Sequence, residues 1–109
     1  MPFPDDTFDR IYAMEATCYA TSLEQVYTEI RRVLKPGGFF GTYEWLITPK
    51  YDDKSQTHRE IRNCIERGAG VPKLVDAKHA IGALEGAGLE LVTHEDLAIT
   101  TPINPIPWW

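Results

Sequence analysis

Two carboxylates and several aromatic side chains lie near the ends of two apolar segments of the sequence. Glu15 comes late in the run "FDRIYAMEA", and Tyr19 follows a few residues later. The second run, "FFGTYEWLI", contains Glu44 between Tyr43 and Trp45. Carboxylates and aromatic faces attract positive charge, and a carboxylate also accepts protons. These residue types suit a site that stabilises a cation, but on their own they do not name a reaction.

The elements that carry these residues form a strand, helix, strand pattern. Residues 8–16 are mostly apolar and predict a buried strand, and the aromatic and β-branched residues of 39–47 predict a second strand. Between them Thr21 or Ser22 can cap a helix that the sequence Lys-Pro-Gly-Gly at 35–38 ends. Its apolar face comprises Leu23, Val26, Tyr27, Ile30, Val33 and Leu34. Such a βαβ unit is right-handed and has parallel strands.

The remaining sequence predicts two helices and a third strand. A helix is expected over residues 57–67 with Gly68 at its end, and another over 76–88 that Asp76 caps and Gly88 ends. The run "LELVTHEDLAI", residues 89–99, predicts the strand. The order β-α-β-α-α-β indicates an open α/β sheet covered by helices. Because ligands bind beyond the carboxyl ends of such strands, Glu15 and Glu44 are the first candidate site residues.

Composition limits the class of protein further. A chain of 109 residues with 43% hydrophobic and 25% charged residues fits one soluble domain with one core. A net charge of −5 disfavours a nucleic-acid partner, which would need a basic surface. No apolar run approaches the roughly 20 residues of a membrane-spanning helix. Cys18 and Cys64 have no ligand spacing, and the three histidines lie on unrelated elements, so no metal site is expected.

Several motifs resemble one enzyme family. The segment "PFPDDTFDRIYAMEAT" followed by "LEQVYTEIRRVLKPGGFF" resembles the second half of a Rossmann-like class I S-adenosylmethionine-dependent methyltransferase, from strand four to strand five. The motif "EATC", followed at this separation by the "YEW" motif with its later "T" and "YD", resembles sterol 24-C-methyltransferases. "NPIPWW" resembles their "DPIPWY" stretch. The resemblance implies that residues 1–100 are part of a catalytic domain and that 101–109 begin a C-terminal substrate-side region.

The sequence departs from the family in two respects. It reads "EATCYAT" where the family usually has "EATCHAP", so Tyr19 and Thr21 replace a histidine and a proline. The family's glycine-rich cofactor loop and the acidic residue that holds the ribose have no counterpart, because Gly37 and Gly38 follow a helix and do not open one. We therefore expect the chain to be a C-terminal-half fragment of a longer enzyme.

The resemblance implies a reaction and a set of site residues. The reaction is methyl transfer from S-adenosyl-L-methionine to C24 of a sterol side chain, which leaves a carbocation on the sterol. A site for it needs aromatic faces, carboxylates and a base. The implied catalytic residues are Glu15, Tyr43 and Glu44; the implied substrate-binding residues are Cys18, Tyr19 and Trp45; and the implied cofactor-binding residues are Glu15 and Ala16. The family also implies a homo-oligomer in peripheral contact with the endoplasmic reticulum membrane.

Structural and functional alternatives stay open at this point. Glu15 can instead cap the following turn or bind a backbone amide, and Glu44 can pair with Lys50 or Arg59. Histidine, cysteine and tryptophan side chains can have purely structural roles. A truncated, non-catalytic chain that pairs its exposed sheet edge with another subunit is one alternative function. A class I methyltransferase for another small molecule is the other.

Overall fold

A computed structural model of the chain describes residues 1–97, which form a small parallel sheet with helices beside it. This confirms the predicted α/β class and its partial, Rossmann-like sheet. The elements are β1 (Phe8–Met14), a 3-10 turn (Thr17–Tyr19), α1 (Leu23–Val33), β2 (Leu34–Tyr43), α2 (Gln56–Ala69) and α3 (Ala77–Gly86). β1 and β2 pair in parallel, as the βαβ interpretation requires.

Helix α1 contributes Tyr27, Ile30 and Val33 to the core, as its pattern predicts. The Ser22 hydroxyl caps the helix by accepting a hydrogen bond from the Gln25 amide at 3.2 Å. On the inner face Tyr27 is 1% exposed and Val33 is fully buried. Residues from β1, β2 and α3 pack against this face: Ile11, Phe40, Ala83 and Leu84. The helix is therefore held by packing on both the sheet and the last helix.

The connection from α1 to β2 differs from the prediction. Helix α1 ends at Val33 and β2 begins at the next residue, Leu34, which pairs with Phe8. The next paired residue of β2 is Phe39, opposite Arg10. The four residues 35–38 therefore form a bulge opposite a single residue of β1, Asp9. The Lys-Pro-Gly-Gly turn thus lies inside the strand, and β2 ends at Tyr43 and not at residue 47 as predicted.

Contacts at the bulge explain its two glycines. Gly37 has a φ of 75°, in the left-handed region that glycine adopts without steric cost. At Gly38 a Cβ atom would lie 2.8 Å from the backbone oxygen of Asp9 and 2.9 Å from that of Lys35. The Lys35 ammonium also bonds the Asp9 carboxylate at 2.9 Å. The bulge therefore brings the backbones of β1 and β2 into close contact.

Side chains cap the first turns of the two later helices, and of these caps only Asp76 was predicted. Ser55 caps α2 by accepting a hydrogen bond from the His58 amide, and Asp76 caps α3 through the His79 amide at 2.7 Å. The expected stop of α2 at Gly68 is wrong. The helix continues to residue 69, and Gly70, with a φ of 70°, is its C-cap.

Two predictions about strands are wrong over the described residues. Residues 89–96 form no strand, because this segment pairs with no strand within residues 1–97, and Val92 is 77% exposed. Residues 98 and 99 of that prediction, and the whole of 101–109, lie outside the described residues. β1 is also not buried: Tyr12 is 82% exposed, since α1 covers only the opposite face of the sheet.

Substituting Gly38 tests the close contact at the bulge. We expect Gly38→Ala to lower the free energy of unfolding by about 1–3 kcal/mol, because the new methyl group meets backbone oxygens that cannot move independently of the sheet. Gly41→Ala is the matched control, since a Cβ at Gly41 has nothing within 4 Å. Urea unfolding followed by circular dichroism measures both. Equal midpoints for the two variants would contradict the contact.

Candidate functional site

The carboxyl ends of the two strands lie side by side. Met14 pairs with Tyr43 at the last register position, and the Glu15 amide extends the ladder by donating to the Tyr43 carbonyl at 2.7 Å. Both segments that follow therefore begin at the same edge of the sheet. This edge brings together the candidate residues: Glu15, Ala16, Cys18, Tyr19, Tyr43, Glu44 and Trp45.

Glu44 binds the 3-10 turn that follows β1. Its Oε1 atom accepts hydrogen bonds from the Thr17 amide at 2.9 Å, the Thr17 hydroxyl at 2.7 Å and the Thr42 hydroxyl at 3.0 Å. Its Oε2 atom accepts one from the Cys18 amide at 3.1 Å. The structure thus does not pair Glu44 with Lys50 or Arg59. Its carboxylate instead joins the end of β2 to the turn after β1.

The turn is also joined to helix α1 through a buried hydroxyl pair. The Thr17 Oγ1 and Tyr27 Oη atoms are 3.3 Å apart, and Thr17 is only 6% exposed. Because the single hydroxyl proton of Thr17 is donated to Glu44, the Tyr27 hydroxyl must be the donor to Thr17. The result is a directed chain of hydrogen bonds from Tyr27 through Thr17 to the Glu44 carboxylate.

Local environment shifts the pKa values of this cluster. Burial raises the pKa of the Glu44 carboxyl, but the hydrogen bonds from Thr17 and Cys18 outweigh it, so the net shift is downward. Burial and the neighbouring Glu44 carboxylate raise the pKa of the Cys18 thiol to about 11. Burial, with a contribution from the same charge, also raises the pKa of Tyr27. At neutral pH Glu44 is therefore ionised, and Cys18 is a neutral thiol unsuited to nucleophilic attack.

A cleft of about 260 Å³ opens beside this cluster. It lies between the start of α1, the segment after β2 and the segment that leads into α3. His79 and Glu24 form a pair at 3.5 Å on its lining. The residues of the cluster that face it are Thr17, Cys18, Tyr27, Glu44 and Trp45. No group of three or more His, Cys, Asp or Glu residues within 1–97 has metal-binding geometry.

Glu15 has a different environment from Glu44. Its backbone has a φ of 47°, a left-handed conformation that is uncommon for a residue other than glycine. The side chain is exposed, and its carboxylate forms no hydrogen bond or ion pair with residues 1–97. It therefore neither caps the following turn nor binds a backbone amide there. Its carboxylate is accessible at the strand end.

The other candidates divide between the cleft and the open surface. Cys18 and Trp45 line the cleft, whereas Tyr19 and Tyr43 are 49% and 46% exposed, and Ala16 is exposed beside Glu15. The sequence analysis missed the part played by Thr17 and assigned Tyr27 to the core alone. For Thr17 the only signal in the sequence was a threonine between a predicted strand and a predicted helix. For Tyr27 the signal was a core position that carries a hydroxyl.

The pH dependence of stability tests the Glu44 interactions. Because its folded-state pKa lies below the ordinary value of 4.5, Glu44 stabilises the fold above that pH, and the contribution is lost as the pH falls through the folded-state pKa. We expect Glu44→Gln to cost about 1–3 kcal/mol of unfolding free energy at pH 7. The difference from the unsubstituted protein should shrink below about pH 4.5.

Urea unfolding at a series of pH values provides this measurement. Glu15→Gln is the control, since its carboxylate makes no hydrogen bond within residues 1–97. A pH-independent difference for Glu44→Gln would contradict the assigned charged hydrogen bonds.

Sequence comparisons identify relatives of the whole chain. A family profile described as a methyltransferase domain matches residues 1–42. Sterol 24-C-methyltransferase ERG6B of Gibberella zeae is 53% identical over 109 residues, which cover 100% of this chain and 28% of that protein. Sterol 24-C-methyltransferase ERG6 of Saccharomyces cerevisiae is 49% identical over 109 residues, with the same coverage of 100% and 28%.

A third relative has a less specific name. Methyltransferase phqN of Penicillium fellutanum is 48% identical over 106 residues, which cover 97% of this chain and 32% of that protein. The alignments to the two sterol enzymes cover all 109 residues of the chain. The chain is therefore similar along its whole length to sterol 24-C-methyltransferases, and it spans about 28% of the length of the relatives it matches.

Proposed function

We propose that the chain is part of a longer enzyme that transfers a methyl group from S-adenosyl-L-methionine to C24 of a sterol side chain, in sterol biosynthesis. The observation that carries this proposal is the roughly 50% identity to sterol 24-C-methyltransferases across the whole chain. In this proposal residues 1–100 are part of the catalytic domain. Residues 101–109, outside the described residues, begin a substrate-side region.

The cofactor is proposed to bind at the carboxyl end of β1, through Glu15 and Ala16. S-adenosyl-L-methionine supplies an activated methyl group on a positively charged sulfur. The fit rests on Glu15, whose exposed carboxylate has no ion-pair partner within residues 1–97 and offers a negative charge at the edge where α/β sheets bind ligands. Ala16 has no bulky side chain to block the same edge. Glu44 adds a second negative charge beside them, which favours a bound cation electrostatically.

The sterol side chain is proposed to meet the cofactor between the two strand ends. An alkene is a weak nucleophile, so the protein must hold it in line with the methyl group and exclude water. Trp45 and Cys18 line the neighbouring cleft and suit the apolar part of the substrate, and Tyr19 follows Cys18 on the exposed side of the turn. The face of Tyr43 can stabilise the sterol carbocation by cation–π attraction, and the Glu15 carboxylate can accept the proton that is lost afterwards.

Two further aspects of the proposal rest on the family resemblance. Within residues 1–97 no helix has both the length and the apolarity to cross a bilayer. We infer a peripheral association with the endoplasmic reticulum membrane, because a sterol substrate resides in membranes, and a homo-oligomeric enzyme.

A segment exchange tests the reaction directly. This chain replaces the aligned 109 residues of the Saccharomyces cerevisiae enzyme, to which it is 49% identical, in yeast that lacks its own copy. We expect gas chromatography with mass spectrometry to detect 24-methylated sterols. The same exchange with Glu15→Gln should lower their formation by about 100-fold or more, since it removes the proposed base.

The control for folding is the amount of soluble chimera. A chimera that accumulates normally but forms no methylated sterol would contradict the sterol assignment. It would favour either a methyltransferase for another small molecule or a non-catalytic chain.

A further inference from the structure

The two carboxylates at the sheet edge differ in what remains free to react. An ionised carboxylate offers about four acceptor positions. Glu44 receives four hydrogen bonds from Thr17, Cys18 and Thr42, whereas the Glu15 carboxylate receives none from residues 1–97. A general base needs an accessible lone pair within reach of the substrate proton. Both oxygens of the Glu15 carboxylate are free of hydrogen bonds from residues 1–97, whereas Oε1 of Glu44 accepts three bonds and its Oε2 accepts one, all from the turn or from Thr42.

Building on the proposed function, we propose that Glu44 is a positioning residue that fixes the Thr17–Tyr19 turn for methyl transfer, and that proton removal belongs to Glu15. The turn carries Cys18 and Tyr19, two of the proposed substrate contacts. Glu44 therefore acts on the reaction through the backbone of the turn.

The energetic case begins with the buried groups of the turn. Thr17 is 6% exposed, so its amide and hydroxyl need partners inside the protein. Glu44 accepts from both, and losing a charged acceptor for buried donors costs more than losing a surface contact. No other residue within 1–97 bonds the amides of Thr17 or Cys18. The position of the turn thus depends on the Glu44 side chain.

A second support fixes the other side of the turn. The Tyr27 hydroxyl donates to Thr17, and Tyr27 is 1% exposed in the core face of α1. Glu44 and Tyr27 therefore hold Thr17 from β2 and from α1 at once. Such doubly supported geometry suits a site in which a misplacement of about 1 Å can reduce the rate about 100-fold.

Alkylation of Cys18 tests the positioning role without any catalytic assay. The full-length protein is treated with iodoacetamide at pH 8, and peptide mass spectrometry follows Cys18, with the exposed Cys64 as internal reference. We expect Glu44→Gln to increase the Cys18 rate at least about tenfold, because it loosens the turn and removes the charge that disfavours the thiolate.

Two Thr17 variants separate movement of the turn from the effect of charge. Thr17→Val keeps the Glu44 carboxylate but removes the bonded hydroxyl, and we expect it also to increase the Cys18 rate. Thr17→Ser keeps the hydroxyl and should restore the unsubstituted rate. Glu15→Gln should increase the rate much less than Glu44→Gln, because Glu15 contributes less to the raised Cys18 pKa and does not bond the turn. Unchanged Cys18 rates in both Glu44→Gln and Thr17→Val would overturn the positioning role, whether or not the protein methylates sterols.

The pH profile of methyl transfer then assigns the base. In the full-length enzyme we expect Glu44→Gln to reduce kcat/KM by about 10- to 100-fold while the acid limb of the profile persists. Thr17→Val should reduce it too, and the double variant should be no worse than the poorer single one. Loss of the acid limb in Glu44→Gln, with Thr17→Val indifferent, would make Glu44 the base and overturn the proposal.

Discussion

The close approach of two backbones at Gly38 is the constraint on which the sheet edge depends. β2 must accommodate residues 35–38 opposite one residue of β1 and then resume pairing at Phe39. Only a residue without a Cβ fits against the Asp9 carbonyl there. The register that results pairs Tyr43 with Met14, so both strands end at the same register position. The segments that follow the two strands are therefore neighbours, and the Glu15 amide donates a hydrogen bond to the Tyr43 carbonyl.

Because the two strands end at the same edge of the sheet, Glu15 and Glu44 lie on neighbouring segments, yet their surroundings differ. Glu15 continues β1 with a left-handed backbone, which turns the chain at once into the 3-10 turn and leaves its side chain exposed. Glu44 follows the last residue of β2 and lies opposite that turn. Its carboxylate accepts hydrogen bonds from the buried Thr17 hydroxyl and from the amides of Thr17 and Cys18. The same sheet therefore gives one carboxylate to solvent and uses the other as an internal acceptor. At this edge Glu15 therefore offers an exposed negative charge, whereas Glu44 holds the turn in place.

Most of the helix signals in the sequence were reliable, although the expected stop at Gly68 was not, and the third strand was predicted wrongly. Caps at Ser22 and Asp76 and the apolar face of α1 depend on residues within one or two turns, and all are confirmed. The strand over residues 89–99 was predicted from alternation alone, but a strand needs a neighbour to accept its hydrogen bonds. Residues 89–96 have none within the described part of the chain. Thr17 and Cys18, two of the partners of Glu44, likewise lie 27 and 26 residues away, a separation that no spacing rule reaches.

The pKa of the Cys18 thiol depends on the charge of Glu44 at the sheet edge. Its amide binds Glu44 while its sulfur lies near the same carboxylate, which holds the thiol in its neutral form. A thiolate here would compete with a sterol alkene for an activated methyl group, because thiolates are far stronger nucleophiles. Burial and the Glu44 carboxylate together raise the pKa of this thiol, and so disfavour that competition in the proposed reaction. The Glu44 carboxylate, with four hydrogen bonds, thereby holds the turn in place and contributes to the neutral state of the thiol.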